Sequence, residues 1–402
     1  MPESHQLISL EEALQSILQQ AQPPEEETLP LESSFGRVLA EQIIADRDYP
    51  PFNRATMDGY ACSFEDIHLG QNTFMLAGTV MAGEPAGILP GKGTCVCIMT
   101  GAPVPEGADT LIKLEDTVLG KDQVVFSGAA VKRGQFIARQ GEDARNGQLL
   151  LNEHCIIDPS LAALLASLGK ANVRVCRLPA VALVSTGNEI LPIKGKPSPY
   201  QIRDCNSWAL KAFLMQYRIS EVTSIRLPDD PVKLAAAIEP LLERDILILS
   251  GGVSKGQADH VPATLKSLGV QEIFHRVRIK PGQPLWFGKF PGGCLVFGLP
   301  GNPVSVQAAF KVFIEPFLRK SLGLTPVPEI FLPLGRGREK RTSFDEFFPV
   351  RLENDHSATL LFPVSYHSSG DFLSTTLSHG LALHPAEEKD LMEGQLLKYL
   401  SW

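Results

Sequence analysis

Ile246-Leu247-Ile248-Leu249-Ser250-Gly251-Gly252-Val253-Ser254-Lys255-Gly256-Gln257-Ala258-Asp259-His260 is the stretch that decides the fold. A short all-apolar run opens it, as expected of a strand buried on both faces at the centre of a parallel sheet. A glycine-rich turn follows, and residues 261–268 then read as a helix that stops at Gly269. Bare backbone after a buried strand lets N–H groups approach an anion beside a helix start. Asp259 lies at the mouth of that helix, where a carboxylate can cap the helix or hold a divalent cation beside a phosphate. The turn carries more glycine, serine and aspartate than a turn requires, and it is neither a Walker loop nor a dinucleotide fingerprint.

Outward from this stretch the alternation repeats between residues 179 and 323. Residues 181–184, 222–227 and 295–299 read as strands. Asn206 and Asp230 read as helix caps, and Asn302 caps a helix beginning at Pro303. An open, doubly wound α/β sheet follows. Residues 9–21 read as an amphipathic helix whose Ser9 and Glu12 fit a capping box, and its apolar face suits the α/β sheet. Pro23, Pro24 and the acidic run 25–27 read as a solvated linker, and a second short helix is expected over 31–45. From 46 to 151 the texture changes to short β-rich runs (72–80, 94–100, 110–119, 123–127, 135–140) between glycine and proline turns, the pattern of a small β-domain. Residues 158–169 return to helix, and the tail after Pro326 is β-rich with a hairpin near Asn354-Asp355.

Composition narrows the function classes. A chain of 402 residues divides into two to four domains at roughly 100–200 residues each. The net charge of −8 argues against a protein that binds nucleic acid by neutralising phosphates, though not against a local anion pocket. The seven cysteines, Cys62, Cys95, Cys97, Cys155, Cys176, Cys205 and Cys294, include no Cys-x-x-Cys pair, so neither a zinc ribbon nor a disulfide framework is expected. Residues 1–21 lack a signal-peptide pattern and no apolar run approaches the roughly 18–20 residues of a membrane span. A cytoplasmic location, with no nucleic-acid or membrane partner, is the expectation.

In open α/β sheets ligands bind beyond the carboxyl ends of the strands, and four segments there hold unusual polar or glycine content. Ser185-Thr186-Gly187-Asn188-Glu189 offers small hydroxyls and a carboxylate, or a plain strand-to-loop turn. Gly251 to Asp259 is the glycine turn above. Ile279-Lys280-Pro281-Gly282-Gln283-Pro284 sets a lysine on a rigid turn, a point charge for an oxyanion or an ordinary surface turn. Gly298-Leu299-Pro300-Gly301-Asn302-Pro303-Val304-Ser305 joins a buried strand to a helix, with Ser305 in its first turn. Elsewhere Pro51 to Ala61, Thr100-Gly101-Ala102-Pro103 and Gly141-Glu142-Asp143 stand out. Together these carboxylates, hydroxyls, glycines and one lysine suit a magnesium-dependent site for an anionic or phosphorylated substrate.

Met57-Asp58-Gly59-Tyr60-Ala61, Gly-Gly-Val-Ser-x-Gly-x-x-Asp at 251–259 and Gly-Leu-Pro-Gly-Asn-Pro-Val-Ser at 298–305 occur in order along nearly the whole chain. In these motifs the chain resembles the molybdopterin molybdenumtransferases, bacterial MoeA and the E domains of gephyrin and its plant counterpart. The resemblance implies a homodimer of L-shaped subunits with α/β plus β architecture in four domains. These are a doubly wound α/β molybdopterin-binding domain (1–26 and 177–323), a linking domain (27–45 and 147–176), a small β-domain (46–146) and a C-terminal β-barrel (324–402). It implies that adenylyl-molybdopterin and molybdate give molybdenum cofactor and AMP, with Mg²⁺ as cofactor. Asp58, Glu189 and Asp259 would be catalytic, with Asp58 and Thr100 reaching the cleft from the other subunit. Asp229, Glu189 and Asp259 would hold the metal. Asp143, Ser185, Thr186, Gly187, Gly251, Gly252, Ser254, Pro300 and Pro303 would bind substrate, and Lys280, Ser305 and Ser369 would face molybdate. Transient contacts with the molybdopterin adenylyltransferase and with molybdoenzyme-maturation proteins are implied as well.

The sequence departs from that pattern at three places. Gln283 stands where many relatives carry a second lysine, Asn53 where aspartate is common, and residues 342–347 lack an expected arginine, for which Arg341 or Arg351 is a candidate substitute. Alternatives to molybdenum insertion are a tungstate-using or weakly active paralogue and a non-catalytic gephyrin-like scaffold.

Overall fold

The computed structural model describes residues 7–128, 130–253, 259–355 and 358–402. They fall into two units, one of residues up to 40, 154–163 and 171–402, the other of 41–153 and 164–170. The segments assigned to one linking domain from the sequence are divided between them.

The first unit is built on a six-stranded mixed sheet. Its strand order is Val222–Leu227, Val181–Thr186, Ile246–Ser250, Leu295–Leu299, Trp286–Lys289, Gln271–His275. The first four are parallel, and the last two, which the sequence reading left unassigned, extend the sheet antiparallel. Alternate residues of each strand serve opposite faces. Leu183, Ile248 and Phe297 pack with Leu210 and Phe213 of the Asn206–Gln216 helix and with Phe310 and Phe313 of the helical run that begins at Pro303. Val184, Leu247 and Val296 pack with Leu234 of Pro231–Ile238 and Leu265 of Val261–Ser267. Two covered faces explain why these strands read as unbroken apolar runs. The helix Leu10–Leu18 carries the expected Ser9–Glu12 capping box and buries Ala13 and Ile17 in the first of these cores.

Two expectations fail in this unit. The acidic run is not a linker: Glu26–Pro30 pairs antiparallel with Asn172–Cys176, and Glu25, Glu26 and Glu27 each meet an arginine, Arg177 (2.6 Å), Arg174 (2.8 Å) and Arg37 (2.5 Å). The helix expected over 31–45 is only the short turn Leu31–Ser33. Gly36 takes a left-handed conformation, and Val38 and Leu39 form bridges to Ile156 and Val175, so the backbone spends its hydrogen bonds on distant strands.

The C-terminal part forms a second sheet in the order Ile279–Lys280, Asp345–Asp355, Gly380–His384, Leu396–Ser401, Ile330–Pro333, with Ala358–Pro363 also paired to Asp345–Asp355. A bridge between Leu334 and Leu361 curls the sheet toward closure around Phe348, Val350 and Leu397. Its edge strand Ile279–Lys280 comes from between the α/β strands, so the barrel is not made of residues after 324 alone.

The second unit holds a six-stranded sheet in the order Thr110–Lys113, Gly59–Cys62, Thr94–Ile98, Thr73–Val80, Gln123–Phe126, Thr117–Leu119. Ala61, Val96 and Ile98 face one small core, and Tyr60, Cys62 and Cys95 face another built around Phe74 and Phe126. A hairpin turns at 120–122, with the Gly120 N–H donating to the Gln123 carbonyl (2.8 Å). All seven cysteines are free. No helix among the described residues is long and apolar enough to cross a membrane.

Candidate active site

Val181–Thr186 pairs with the next strand of this sheet in sequence, Val222–Leu227, on one side and with Ile246–Ser250 on the other. The chain therefore leaves the carboxyl ends of Val181–Thr186 and Ile246–Ser250 in opposite directions, and a crevice opens between them, the place where such sheets bind ligands.

Thr186, Gly251 and Gly252 meet in that crevice. Gly251 (φ +94°) and Gly252 (φ +66°) take conformations open mainly to glycine. A Cβ on Gly251 would stand 2.6 Å from the Thr186 carbonyl oxygen, and one on Gly252 2.9 Å from Thr186 Oγ1, so only bare backbone fits. The Gly251 N–H donates to the Leu299 carbonyl (3.0 Å). Gly251 thus supplies clearance rather than a free donor. Thr186 is 2% exposed, and its hydroxyl is buried with no hydrogen-bond partner among the described residues. A buried unbonded hydroxyl is costly in a finished fold and points to a missing acceptor.

The third wall is the Pro300–Ser305 loop. Gly301 packs against the Gly251 Cα, and the Asn206 side chain donates to the Gly301 carbonyl (2.8 Å). Asn206 therefore ties two loops together rather than capping its helix. Asn302 sits at the N-cap position ahead of Pro303, but its side chain donates to Ser369 Oγ (2.7 Å), and the Val304 N–H donates to the Ser369 carbonyl (3.1 Å). The loop and the C-terminal part thus bring Ser369 to the helix start, whose first turn buries Ser305. Pro300 is buried as well.

Carboxylates flank Thr186. Glu189 folds back over Gly187, where a Cβ would stand 2.7 Å from its carboxylate oxygens. Asp229 accepts from the Asn188 N–H (3.4 Å), and Asn188 Oδ1 accepts from the Asp229 N–H (3.3 Å). Asp259 directly precedes the His260 that starts Val261–Ser267. The expected three-carboxylate metal set is not gathered: among the described residues no three His, Cys, Asp or Glu side chains converge as a metal cage. The reason is placement, since Glu189 and Asp229 belong to the Thr186 side of the crevice and Asp259 to the start of the next helix. Ser185 also departs from its expected role. It is buried, and its hydroxyl donates to Asp204 (2.9 Å), which also accepts from the Ser207 hydroxyl (2.7 Å) and N–H (3.1 Å). Asp204, 3% exposed and one residue ahead of the N-cap Cys205, satisfies a first-turn N–H of the Asn206–Gln216 helix, and the sequence reading missed it. A cap two residues before Asn206 was the available signal. Ser254 lies outside the described residues.

Lys280 is exposed, on a strand that runs parallel to Asp345–Asp355 and places it opposite Glu346. Glu346 is 4% exposed and pairs with Arg338, and Tyr366 donates to it (3.1 Å). Burial pushes the Glu346 carboxyl up, but Arg338 and then Lys280 outweigh it and hold the group below the usual glutamate range. Of the two arginines considered as substitutes, Arg351 pairs with its neighbour Glu353 and Arg341 lies exposed; the arginine beside the lysine's strand is Arg338, which the sequence reading did not name.

In the second unit the Asp58 carboxylate accepts from both the N–H (2.7 Å) and the hydroxyl (2.6 Å) of Thr100. These bonds hold Asp58 below the usual aspartate range, the hydroxyl having the larger effect. Two motifs 42 residues apart thus meet in one exposed pair. Asn53 Oδ1 accepts from the Gln140 N–H (3.0 Å), a role aspartate would fill equally, and Asp143 lies exposed on the loop that follows.

Residues 8–169 match the MoeA N-terminal region (domain I and II), and residues 182–320 match the probable molybdopterin binding domain. The molybdopterin molybdenumtransferase of Synechocystis is 32% identical over 93% of this chain and 95% of its own length. The chain belongs to the molybdopterin molybdenumtransferase family. It is a transferase of molybdenum cofactor biosynthesis, of the MoeA type. The Haemophilus influenzae molybdopterin molybdenumtransferase is 36% identical over 79% of this chain and 78% of its own length. The solved structure of the MoeA protein from Pyrococcus horikoshii superposes with a TM-score of 0.82 at 31% identity, covering 98% of this chain and 99% of that one. In this MoeA-type chain the switch-point crevice falls inside the segment matching the molybdopterin binding domain, and the Asp58–Thr100 pair inside the MoeA N-terminal region.

Proposed function

We propose that the protein takes adenylyl-molybdopterin and molybdate to molybdenum cofactor and AMP, acting as a homodimer in the cytoplasm. The observation that carries this reading is the buried Thr186 hydroxyl, without a partner among the described residues, beside two glycines that admit no side chain. It is a donor in wait for an acceptor, and a phosphate oxygen of the adenylate supplies one. The Glu189 and Asp229 carboxylates beside it suit Mg²⁺, which commonly uses one or two carboxylates and completes its shell with water and substrate phosphate. When bound there, the ion would neutralise phosphate charge.

The chain's own residues do the rest. Gly251 and Gly252 let the substrate lie directly on the backbone. Lys280, opposite Glu346 on the paired strand, and Ser369 with Ser305 would receive molybdate, a dianion that needs fixed donors. Asp58 would come from the partner subunit. Thr100 holds it ionised, so it serves as an acceptor that orients the attacking oxygen and is a weak base. Contacts with the adenylyltransferase that supplies the substrate and with molybdoenzyme-maturation proteins belong to the same reading.

Thr186→Val tests it. The isosteric change removes no bond among the described residues, so stability should stay within about 0.5 kcal/mol, while AMP affinity by calorimetry falls about ten-fold. Unchanged AMP affinity in a folded variant would sink the placement.

A further inference from the structure

The amino-terminal ends of the same parallel strands, beside Ala180 and Val222, border a cavity of about 930 Å³. Its charged lining is Arg37, Arg177, Arg218 and Arg244 against Glu27 and Glu221. Arg177 is committed to Glu25 (2.6 Å) and Asp245 (3.1 Å). Arg37 is 8% exposed and donates from Nη2 to Glu27 (2.5 Å) and to the Cys176 carbonyl (2.7 Å), yet its Nε is buried with no partner among the described residues. That nitrogen has lost water and gained no acceptor. Arg218 and Arg244 are exposed, and neither side chain has an ion pair among the described residues.

The backbone is shaped around Arg218. This residue takes a left-handed conformation (φ 65°), rare outside glycine, and its side chain lies over Gly36, where a Cβ would stand 3.0 Å from Arg218 Cδ. Gly36 therefore leaves the space that the arginine stem fills. Such a residue persists where surrounding structure holds it, and strained residues gather at ligand sites.

We propose that this cavity binds a small polyvalent oxyanion, with Arg218 and Arg244 as its principal donors and the buried Arg37 guanidinium behind them. Guanidinium forks match the planar or tetrahedral oxygens of carboxylates and phosphates. The volume is that of a metabolite pocket rather than of a single ion. None of these residues belongs to the switch-point crevice, so the inference stands or falls independently of the proposed reaction.

The test is calorimetric titration of the full chain at low salt with pyrophosphate and with citrate, which stand for the phosphate and carboxylate sources. At least one should bind, and Arg218→Asn/Arg244→Ser should weaken it at least ten-fold, asparagine being able to keep the left-handed backbone. Thermal melts check folding. Arg244→Gln alone, at a residue of ordinary backbone (φ −80°), should weaken binding several-fold and serves if the double variant does not fold. Absence of binding by both anions, or binding that these substitutions leave unchanged, overturns the proposal. The second outcome would assign the anion to the glycine loops instead.

Discussion

At the carboxyl ends of the central strands the chain clears space with Gly251 and Gly252 and leaves the Thr186 hydroxyl without a partner among the described residues. At the amino ends of the same strands it fills space with arginine side chains. Backbone and a stiff β-branched threonine lose little conformational freedom when a ligand arrives. Arginines lose more and are screened by salt, but they adapt to different anions. One sheet therefore offers a rigid end suited to placing a reacting phosphate within tenths of an ångström and a compliant end suited to charge recognition.

The sharpest way to break this contrast is Gly251→Ala. A methyl group there meets the Thr186 carbonyl and carries left-handed strain of about 1 kcal/mol. AMP release should fall about 100-fold or more, a rise on the order of 3 kcal/mol in the barrier. An alanine variant with ordinary turnover would show that the crevice is not rigid. Next comes Asp204→Ala, which strands the Ser185 and Ser207 hydroxyls and one N–H beneath the crevice. Denaturant unfolding should report a loss of about 3 kcal/mol. Asp204→Asn should recover part of it.

The smallest effect sharpens the amino end. Burial pushes the Asp245 carboxyl up, but the Arg177 guanidinium and then the Ala180 N–H outweigh it and hold the group below its ordinary value of 3.8. A depressed folded value contributes stability above the unfolded value, and that contribution is lost as pH falls through the folded one. Melting temperature should therefore drop on acidification below about pH 3.8, and Asp245→Asn should flatten that part of the profile. An equal acid slope in the variant would assign the effect to other carboxylates.

Much of the fold was legible because helix caps and buried strands write local signals. Ser9 with Glu12, Asp230 and the apolar run 246–249 each sit within a few residues of what they determine. What failed depended on distance. Glu27 lies opposite Val175, and no window around the acidic run contains that partner. The added strands Gln271–His275 and Trp286–Lys289 are only five and four residues long, and the first of them is a half-exposed edge, so periodicity there is weak. The site divides the same way. Gly251 and Gly252 were readable because positive φ demands glycine, and the Asp58 and Thr100 motifs were readable as separate stretches. That Ser185 turns inward to Asp204, that Gly251 already spends its N–H, and that three carboxylates fail to converge depend on directions in space, which spacing along a chain does not encode.

The seam between Ile279–Lys280 and Asp345–Asp355 gives the far end of the polypeptide a hold on the crevice chemistry. Cleavage after Gly323 would leave the crevice's glycine turns in the same piece as Lys280, yet remove Glu346 and the strand that pairs with Ile279–Lys280. The barrel is thus a tether for one cation, and in the proposed reaction a protease would silence turnover without touching the glycine turns assigned to the nucleotide.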